Sequence, residues 1–301
     1  MKWMKWLWNN ISFLISKSWN WSNAIFAVIG LAGLLANVDS LIFPNVNQWL
    51  RVLIGIGILF GIWVCVFILC AIHYYRKKKI CVYNATNDHH VYVQYGDILN
   101  CDRKQKQESQ TKRNIIIPGN CCFDTIIDDD LISSQKLQGQ AIQHLLDTGS
   151  YTQETLNQFI TNELEKLGFT YMQLKTEQKR KGNLRRYPIG TIVKVPTNEN
   201  EIYWFLALTQ FDENLHASIS NRADYITCLQ TVIDSISKLS QGYDTYLPLI
   251  GGGLPEVSDN EHTILELITK LIKINKDKIN CDIHIVIRSS GKEDISIYNL
   301  E

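Results

Sequence analysis

Val52 to Ile72 is a run of 21 residues without a formal charge. As an α-helix it is about 31 Å long, which matches the roughly 30 Å hydrocarbon core of a bilayer. The run ends in His73-Tyr74-Tyr75 and then Arg76-Lys77-Lys78-Lys79. Interfacial aromatics followed by a basic cluster suit the end of a spanning helix. A globular helix that is apolar on every face over this length is uncommon. The first constraint is therefore a membrane helix at about 52–73.

A second span is expected upstream, at about 19–38, with Ala24 to Ala36 as its uninterrupted apolar centre. Its distance from the N-terminus argues against a cleaved signal peptide. The link from Asp39 to Arg51 is short and contains Pro44, so the two spans form a hairpin. Lys2, Lys5 and Lys17 precede the first span and four basic residues follow the second, which places both termini in the cytoplasm at the cell inner membrane. Residues 1–18, rich in Trp, read as an interfacial segment, with 3–14 as a short amphipathic helix. Gly57 and Gly61 have the small-xxx-small spacing of close helix contacts, which points to a homo-oligomer. Neither span carries a charge at its centre, so no ion relay is encoded.

The formal net charge of the chain is zero, but it is unevenly distributed. Residues 1–79 carry eight basic side chains against Asp39 alone, and all the tryptophans but Trp204. The remainder carries 22 basic and 29 acidic residues. This acidic balance excludes nucleic acid as the expected partner. The eight cysteines include no C-x-x-C and fit a reducing compartment. No metal-binding spacing is evident, and His89-His90 is only an adjacent pair.

Residues 80–301 alternate between strand and helix patterns. Strands are expected at 80–83, 90–95, 115–117, 191–195, 202–208, 246–250 and 283–287, with an edge strand at 295–298. Helices are expected at 137–146, 152–167, 221–239 and 261–274. The segment 102–112 reads as a solvated connection, and the basic stretch 171–186 as a solvated loop or a face turned to an anionic leaflet or phosphate. The alternation gives an α/β domain, a three-layer sandwich with a mixed sheet.

Three loops stand at the ends of predicted strands, where open α/β sheets bind ligands. The first is Tyr95-Gly96-Asp97-Ile98, where a carboxylate and the next backbone N–H match an adenine edge. The second is Ile117-Pro118-Gly119-Asn120-Cys121-Cys122-Phe123-Asp124, followed by Ser134-Gln135-Lys136-Leu137-Gln138-Gly139, in which Ser134 is placed to cap a helix. The third is Pro248-Leu249-Ile250-Gly251-Gly252-Gly253-Leu254, whose bare backbone can approach a phosphate. It matches neither the P-loop nor the G-x-G-x-x-G fingerprint.

In this order the three loops resemble a macro domain, over roughly residues 80–290. Together with the membrane hairpin, the chain is similar to the membrane-anchored macro-domain effectors of Thoeris-type antiphage defence. The segments that carry the likeness are Pro118-Gly119-Asn120-x-x-Phe123-Asp124, Ser134-x-x-Leu137-x-Gly139-Gln140 and Pro248-Leu249-Ile250-Gly251-x-Gly253. The resemblance implies an ADP-ribose-derived ligand made by a TIR-domain partner, no cofactor, and membrane damage after assembly. It implies that Asp97 and Ile98 read adenine, and that Asn120, Cys121, Phe123 and Asp124 surround the distal ribose. Ser134, Leu137 and Gly139 border the diphosphate, and Gly251, Gly252, Gly253 and Leu254 cradle the phosphates.

Two departures favour binding over turnover. Macro-domain hydrolases commonly carry an N-A-A-N run, and Ile117 stands where its first Asn falls. The usual glycine triplet of the first phosphate loop is reduced to Gly139. The alternative is a membrane-anchored ADP-ribosyl hydrolase using Asp124 or Asp128 as base, and a third reading is a scaffold that has lost its ligand.

Overall fold

The computed structural model describes residues 2–36, 47–85, 88–108, 111–219, 221–252, 257, 260–298 and 300. The chain divides into two compact units. Residues 1–78 and 292–299 form one, and residues 79–291 the other.

The helical unit contains α1 (Lys2–Asn9), α2 (Ile11–Ala36) and α3 (Gln48–Arg76). Only α3, over Trp49–Arg76, is long and apolar enough among the described residues to cross a membrane. Its apolar side chains are exposed around its whole circumference, including Leu53, Ile56, Phe60 and Leu69. The expected first span is not a separate helix. It is the continuation of α2, whose first half carries Lys17, Asn20, Ser22 and Asn23. The hairpin loop, with Asp39 and Pro44, lies outside the described residues. The interfacial helix is shorter than expected. It stops at Asn9, because Asn10 turns its side chain onto the Trp6 carbonyl (2.7 Å).

The end of the chain is also unlike the expectation. Residues 295–298 form no strand and belong to the helical unit. Ile295 and Ile297 are buried there with Trp6 and Leu14. Tyr298 stacks on Phe13 (5.0 Å), and its hydroxyl donates to the Tyr74 and Lys77 carbonyls. Ser296 Oγ hydrogen-bonds Asn10 Oδ1 at 2.5 Å in a buried position. Side-chain contacts to the helices, and no strand pairing, hold this segment in the helical unit.

The second unit is a sheet with helices on both faces. In chain order it comprises β1 (Lys79–Asn84), β2 (His90–Tyr95), α4 (Arg103–Glu108), β3 (Arg113–Asn120), α5 (Leu137–Asp147), α6 (Gln153–Lys166), β4 (Met172–Gln173) and β5 (Arg185–Arg186). It continues with β6 (Ile192–Pro196), β7 (Glu201–Phe211), β8 (Ala217–Ser218), α7 (Arg222–Leu239), β9 (Asp244–Pro248), α8 (Glu261–Ile274) and β10 (Ile283–Ile287). The order is β1-β2-β10-β9-β3-β7-β6, with β8 paired to β7 and β4-β5 a separate hairpin. β2, β10, β9, β3 and β7 are parallel, and the outer pairs β1–β2 and β6–β7 are antiparallel. The mixed-sheet, three-layer expectation holds.

Alternation along the strands fills both layers. Ile115, Ile117, Val193, Val195, Tyr203 and Phe205 meet Ile142 and Leu145 of α5 and Leu156, Ile160 and Leu164 of α6. On the other face Leu229, Val232, Ile233 and Ile236 of α7 meet Ile268 and Ile272 of α8 around Leu247. Each such fully buried side chain contributes about 1.5–3 kcal/mol. The central β3 starts with Arg113 and Asn114, both buried. Arg113 pairs with Glu201 Oε1 (2.6 Å), and Asn114 links Trp204 Nε1 to the Ser240 carbonyl. These partners offset the cost of burying polar groups. The segment 102–112 is not wholly irregular, since α4 forms within it.

Candidate functional site

β2, β10, β9 and β3 run parallel, so the loops after β2, β3 and β9 all leave the same sheet edge. Three strand intervals separate β2 from β3, about 14 Å. The sequence-predicted residues are thus gathered along a line long enough for an extended ligand.

The first loop is fixed from both ends. Gly96 N–H donates to the Ile287 carbonyl (2.8 Å) at the end of β10. A Cβ on Gly96 would lie 2.4 Å from Cys101 Sγ, so the turn excludes a side chain. Arg113 donates to the Leu99 and Cys101 carbonyls from below. Asp97 is exposed, and its carboxylate accepts from Leu99 N–H (3.1 Å) and Asn100 Nδ2 (2.6 Å). Ile98 is buried.

The second loop is organised by Asn120. Its Oδ1 accepts from Cys122 N–H (3.0 Å) and Asp124 N–H (3.4 Å). Its Nδ2 is buried and has no hydrogen-bond partner. A buried donor without a partner costs about 1–3 kcal/mol. Phe123 adopts φ +52°, which costs a non-glycine residue about 1–2 kcal/mol. Its ring packs edge-on against Tyr187 at 5.7 Å. Cys121 and Cys122 are buried, and desolvation pushes their thiols up to about 12 and about 11.

Asp124 has a different position from the one expected. It is buried, and its Oδ2 lies 2.9 Å from Nζ of Lys179, which is wholly buried. Lys179 also donates to the carbonyls of Lys181 (2.6 Å) and Asn183 (2.9 Å), while Asn183 N–H donates to Asp124 Oδ1 (2.6 Å). Burial raises the Asp124 pKa and the lysine opposes that rise. Oδ1 accepts from Lys179 Nζ (3.1 Å) and Asn183 N–H, while Oδ2 pairs with the ammonium but has no hydrogen bond of its own, so the buried ion pair, and not solvent, surrounds the carboxylate expected to act as a general base. Asp128 pairs with Lys181, and its carboxyl is held down to about 2, chiefly by that lysine. Arg180 pairs with Asp130 (2.6 Å). Three of the six basic residues, Lys179, Arg180 and Lys181, thus pair with the acidic stretch 124–130, and of these only Lys179 is buried; Arg185 pairs with Glu165. A basic run gives no local signal that one lysine will be buried; only the acidic run 50 residues earlier hinted at a partner.

Ser134 does not cap α5. Its N–H and Oγ both bond Asp129 Oδ1, at 2.7 and 3.0 Å, and the N-cap residue is Lys136, whose side chain makes no cap bond. The N-terminus of this 11-residue helix is left without a side-chain cap. A Cβ on Gly139 would fall 2.3 Å from the Ser133 carbonyl, so glycine lets the incoming loop lie against the first turn. Leu137 packs on the core. Gln138, which sequence reading missed, covers Gly119 and donates to the Asp124 carbonyl (3.0 Å).

In the third loop Gly251 has φ +84°, and a Cβ there would lie 2.8 Å from the Tyr225 ring. Tyr225 hydroxyl donates to the Ile250 carbonyl (2.7 Å) and fixes the turn. Gly252 N–H closes it onto Leu249. Gly253 and Leu254 lie outside the described residues. A cavity of about 330 Å³ opens between α6, the β4–β5 hairpin and Cys122–Phe123 of the second loop. It adjoins the three-loop edge through these two residues, and no residue of the β2 or β9 loops lines it.

Residues 91–288 match the family model described as Thoeris protein ThsA, Macro domain. The Thoeris protein ThsA of Bacillus amyloliquefaciens (strain Y2) is 24% identical over 225 residues, covering 71% of this chain and 68% of that protein. The solved Oceanobacillus iheyensis macrodomain with MES bound is 13% identical, with a TM-score of 0.44 over 71% of this chain and 92% of that one. The same macrodomain with ADP is 11% identical, with a TM-score of 0.39 over 74% and 94%.

Proposed function

The chain belongs to the Thoeris protein ThsA macro-domain family, and on that premise we propose that it is a membrane-anchored antiphage-defence effector that binds an ADP-ribose-derived nucleotide. The observation that carries this reading is the buried Asn120 Nδ2, which lacks a partner and lies at the sheet edge shared with the Asp97 and Gly251 loops. A ribose hydroxyl or phosphate oxygen supplies the missing acceptor. The uncapped N-terminus of α5 follows the same loop and suits a diphosphate through its free N–H groups and the helix dipole. Asp97 accepts from the adenine amine at the far end, about 14 Å away, which is the reach of an extended dinucleotide-like ligand.

Binding rather than turnover fits the residues present. Ile117 is apolar and buried where a hydrolase positions water, and Asp124 is committed to Lys179. The helical unit supplies the anchor. The exposed apolar surface of α3 suits a lipid environment, and α2 packs beside α3. In this reading a TIR-domain protein makes the nucleotide. The nucleotide binds the assembling state more tightly than the resting one, and the oligomer damages the membrane.

The test is isothermal titration of the full chain in detergent with ADP-ribose and its derivatives. We expect saturable binding by the native protein, and at least a ~10-fold loss in Asn120→Asp, which keeps the Oδ1 acceptor and removes the donor. Absence of binding to every ADP-ribose derivative, or unchanged affinity in that variant, overturns the reading.

A further inference from the structure

At the opposite, N-terminal edge of the same strands, His284 of β10 is buried, and neither of its ring nitrogens has a hydrogen-bond partner. Its Nε2 points at Asp244, the first residue of β9, with Oδ2 at 3.6 Å. Asp282, immediately before β10, places a carboxylate oxygen in the same cluster, and the three donor atoms lie within 4.8 Å of one another. His89 and His90 bring their Nδ1 atoms to 3.6 and 3.8 Å from Asp282 Oδ1. We propose that Asp244, Asp282 and His284, with His89 or His90 as fourth donor, form a binding site for a divalent transition cation of the zinc class.

The geometry fits. Ligands about 2.0–2.2 Å from a tetrahedral zinc are about 3.4 Å apart, close to the Asp244–His284 separation. One or two imidazoles and two carboxylates select zinc-class cations over magnesium or calcium, which prefer oxygen alone. The other ring nitrogen of His284 faces Asp102 Oδ2 at 3.9 Å, the place of the outer carboxylate that orients a metal-bound histidine. Asp102 is itself held by Tyr246 (2.9 Å). The imidazole is clamped between two rings, Tyr246 at 4.3 Å and Tyr92 at 5.0 Å, so it is positioned before any cation arrives. Burial lowers the His284 pKa, which keeps the ring neutral and able to ligate.

A second cluster, His144, Glu199 and Glu201, makes an instructive contrast. There Arg103 already supplies the cation: it bonds Glu199, lies 2.9 Å from His144 Nε2 and 3.3 Å from Glu201. At the His284 cluster the ammonium of Lys79 lies on the outer carboxylate, 3.6 Å from Asp102 Oδ2. A metal there ties together the starts of β2, β10 and β9, far along the strands from the ligand edge.

The test uses the full chain in detergent, stripped with a chelator and titrated with cobalt(II). We expect one equivalent bound, with the visible spectrum of a tetrahedral nitrogen–oxygen site and no thiolate charge-transfer band. Excess magnesium should not displace it, and zinc should. Asp282→Asn keeps the acceptor for His90 N–H (2.9 Å), so its fold is preserved while cobalt affinity falls at least ~10-fold. His284→Phe keeps the aromatic stack and abolishes binding; its far-ultraviolet circular dichroism checks the fold. The proposal is overturned by failure of the native chain to bind cobalt, by a thiolate band, by displacement with magnesium, or by native affinity in either folded variant.

Discussion

At the scale of single residues, the second loop rests on side chains that bond internally. Asn120 uses its oxygen to shape the loop while its buried nitrogen has no partner, and Asp124 pairs with Lys179 and accepts from Asn183 through Oδ1. Removing one member of that buried ion pair strands the other. Lys179→Met should therefore cost about 3–5 kcal/mol, measured by thermal or denaturant unfolding. The double variant Asp124→Asn/Lys179→Met should recover much of that loss, because no charge is left buried. Equal destabilisation by single and double variants would sink the ion-pair account. The cysteine pair gives a pH prediction. Burial pushes Cys121 and Cys122 up to about 12 and about 11 from a reference of 9.0. Folding favours the protonated thiols, so their contribution is complete below pH 9 and is lost as pH rises through the folded values. Alkylation by iodoacetamide at pH 8 should leave both untouched in the native protein and modify both after unfolding.

At the scale of elements, α5 is positioned by a contact that only glycine permits. Gly139→Ala must move either the helix or the Ser133 carbonyl, since the new Cβ would fall 2.3 Å from that oxygen. The expected cost is about 1–3 kcal/mol in stability, with weakened nucleotide binding as the helix N-terminus shifts. Calorimetry read beside an unfolding curve separates the two effects, and an alanine variant with native stability would contradict the tight approach. These elements were largely legible in the sequence. Strand 90–95, helix 261–274 and strand 283–287 have the expected limits, because strong apolar periodicity and clear turn residues bound them. The placing of three loops after strands β2, β3 and β9 was legible for the same reason: a short apolar strand ending in Gly-Asp, Pro-Gly-Asn or glycines bounds itself clearly. What escaped were pairings across long sequence separation. Nothing local in the run from Tyr171 to Arg186 marks Lys179 as the buried member. Ser134 looked like a cap because a helix follows, yet Asp129 reaches it first. His284 lies in an apolar strand, where a histidine gives no sign of the two aspartates that β9 and the preceding loop bring beside it.

At the scale of the whole molecule, the chain's neutrality is the sum of a basic, Trp-rich N-terminal segment and an acidic remainder, so in the proposed reading local N–H groups, and not the domain's field, hold the anionic nucleotide. The division between the two is not simply N-terminal against C-terminal. β10 ends at the ligand edge, where Ile287 accepts from Gly96 N–H, and four residues later the chain enters the helical unit as the segment 292–298. There Ile297 is 0% exposed, Ser296 bonds Asn10, and Tyr298 bonds the last carbonyls of α3 and its cap. A nucleotide that alters the Gly96–Ile287 junction therefore acts on a strand whose continuation is bound to α1, α2 and α3. Tyr298→Phe removes the one hydroxyl proton shared between the Tyr74 and Lys77 carbonyls, worth about 0.5–1.5 kcal/mol, while keeping the ring stack. Hydrogen exchange should then be faster in α1 and at residues 292–298, with the sheet domain unchanged. Ending the chain at Gly291 should have a larger effect of the same kind, exposing Trp6 and Leu14. Nucleotide binding to the native protein should alter protection at 292–298. In the chain ending at Gly291 the nucleotide should still bind but leave α1 unaffected. Equal responses of α1 to nucleotide in both chains would show that this segment does not connect the two units.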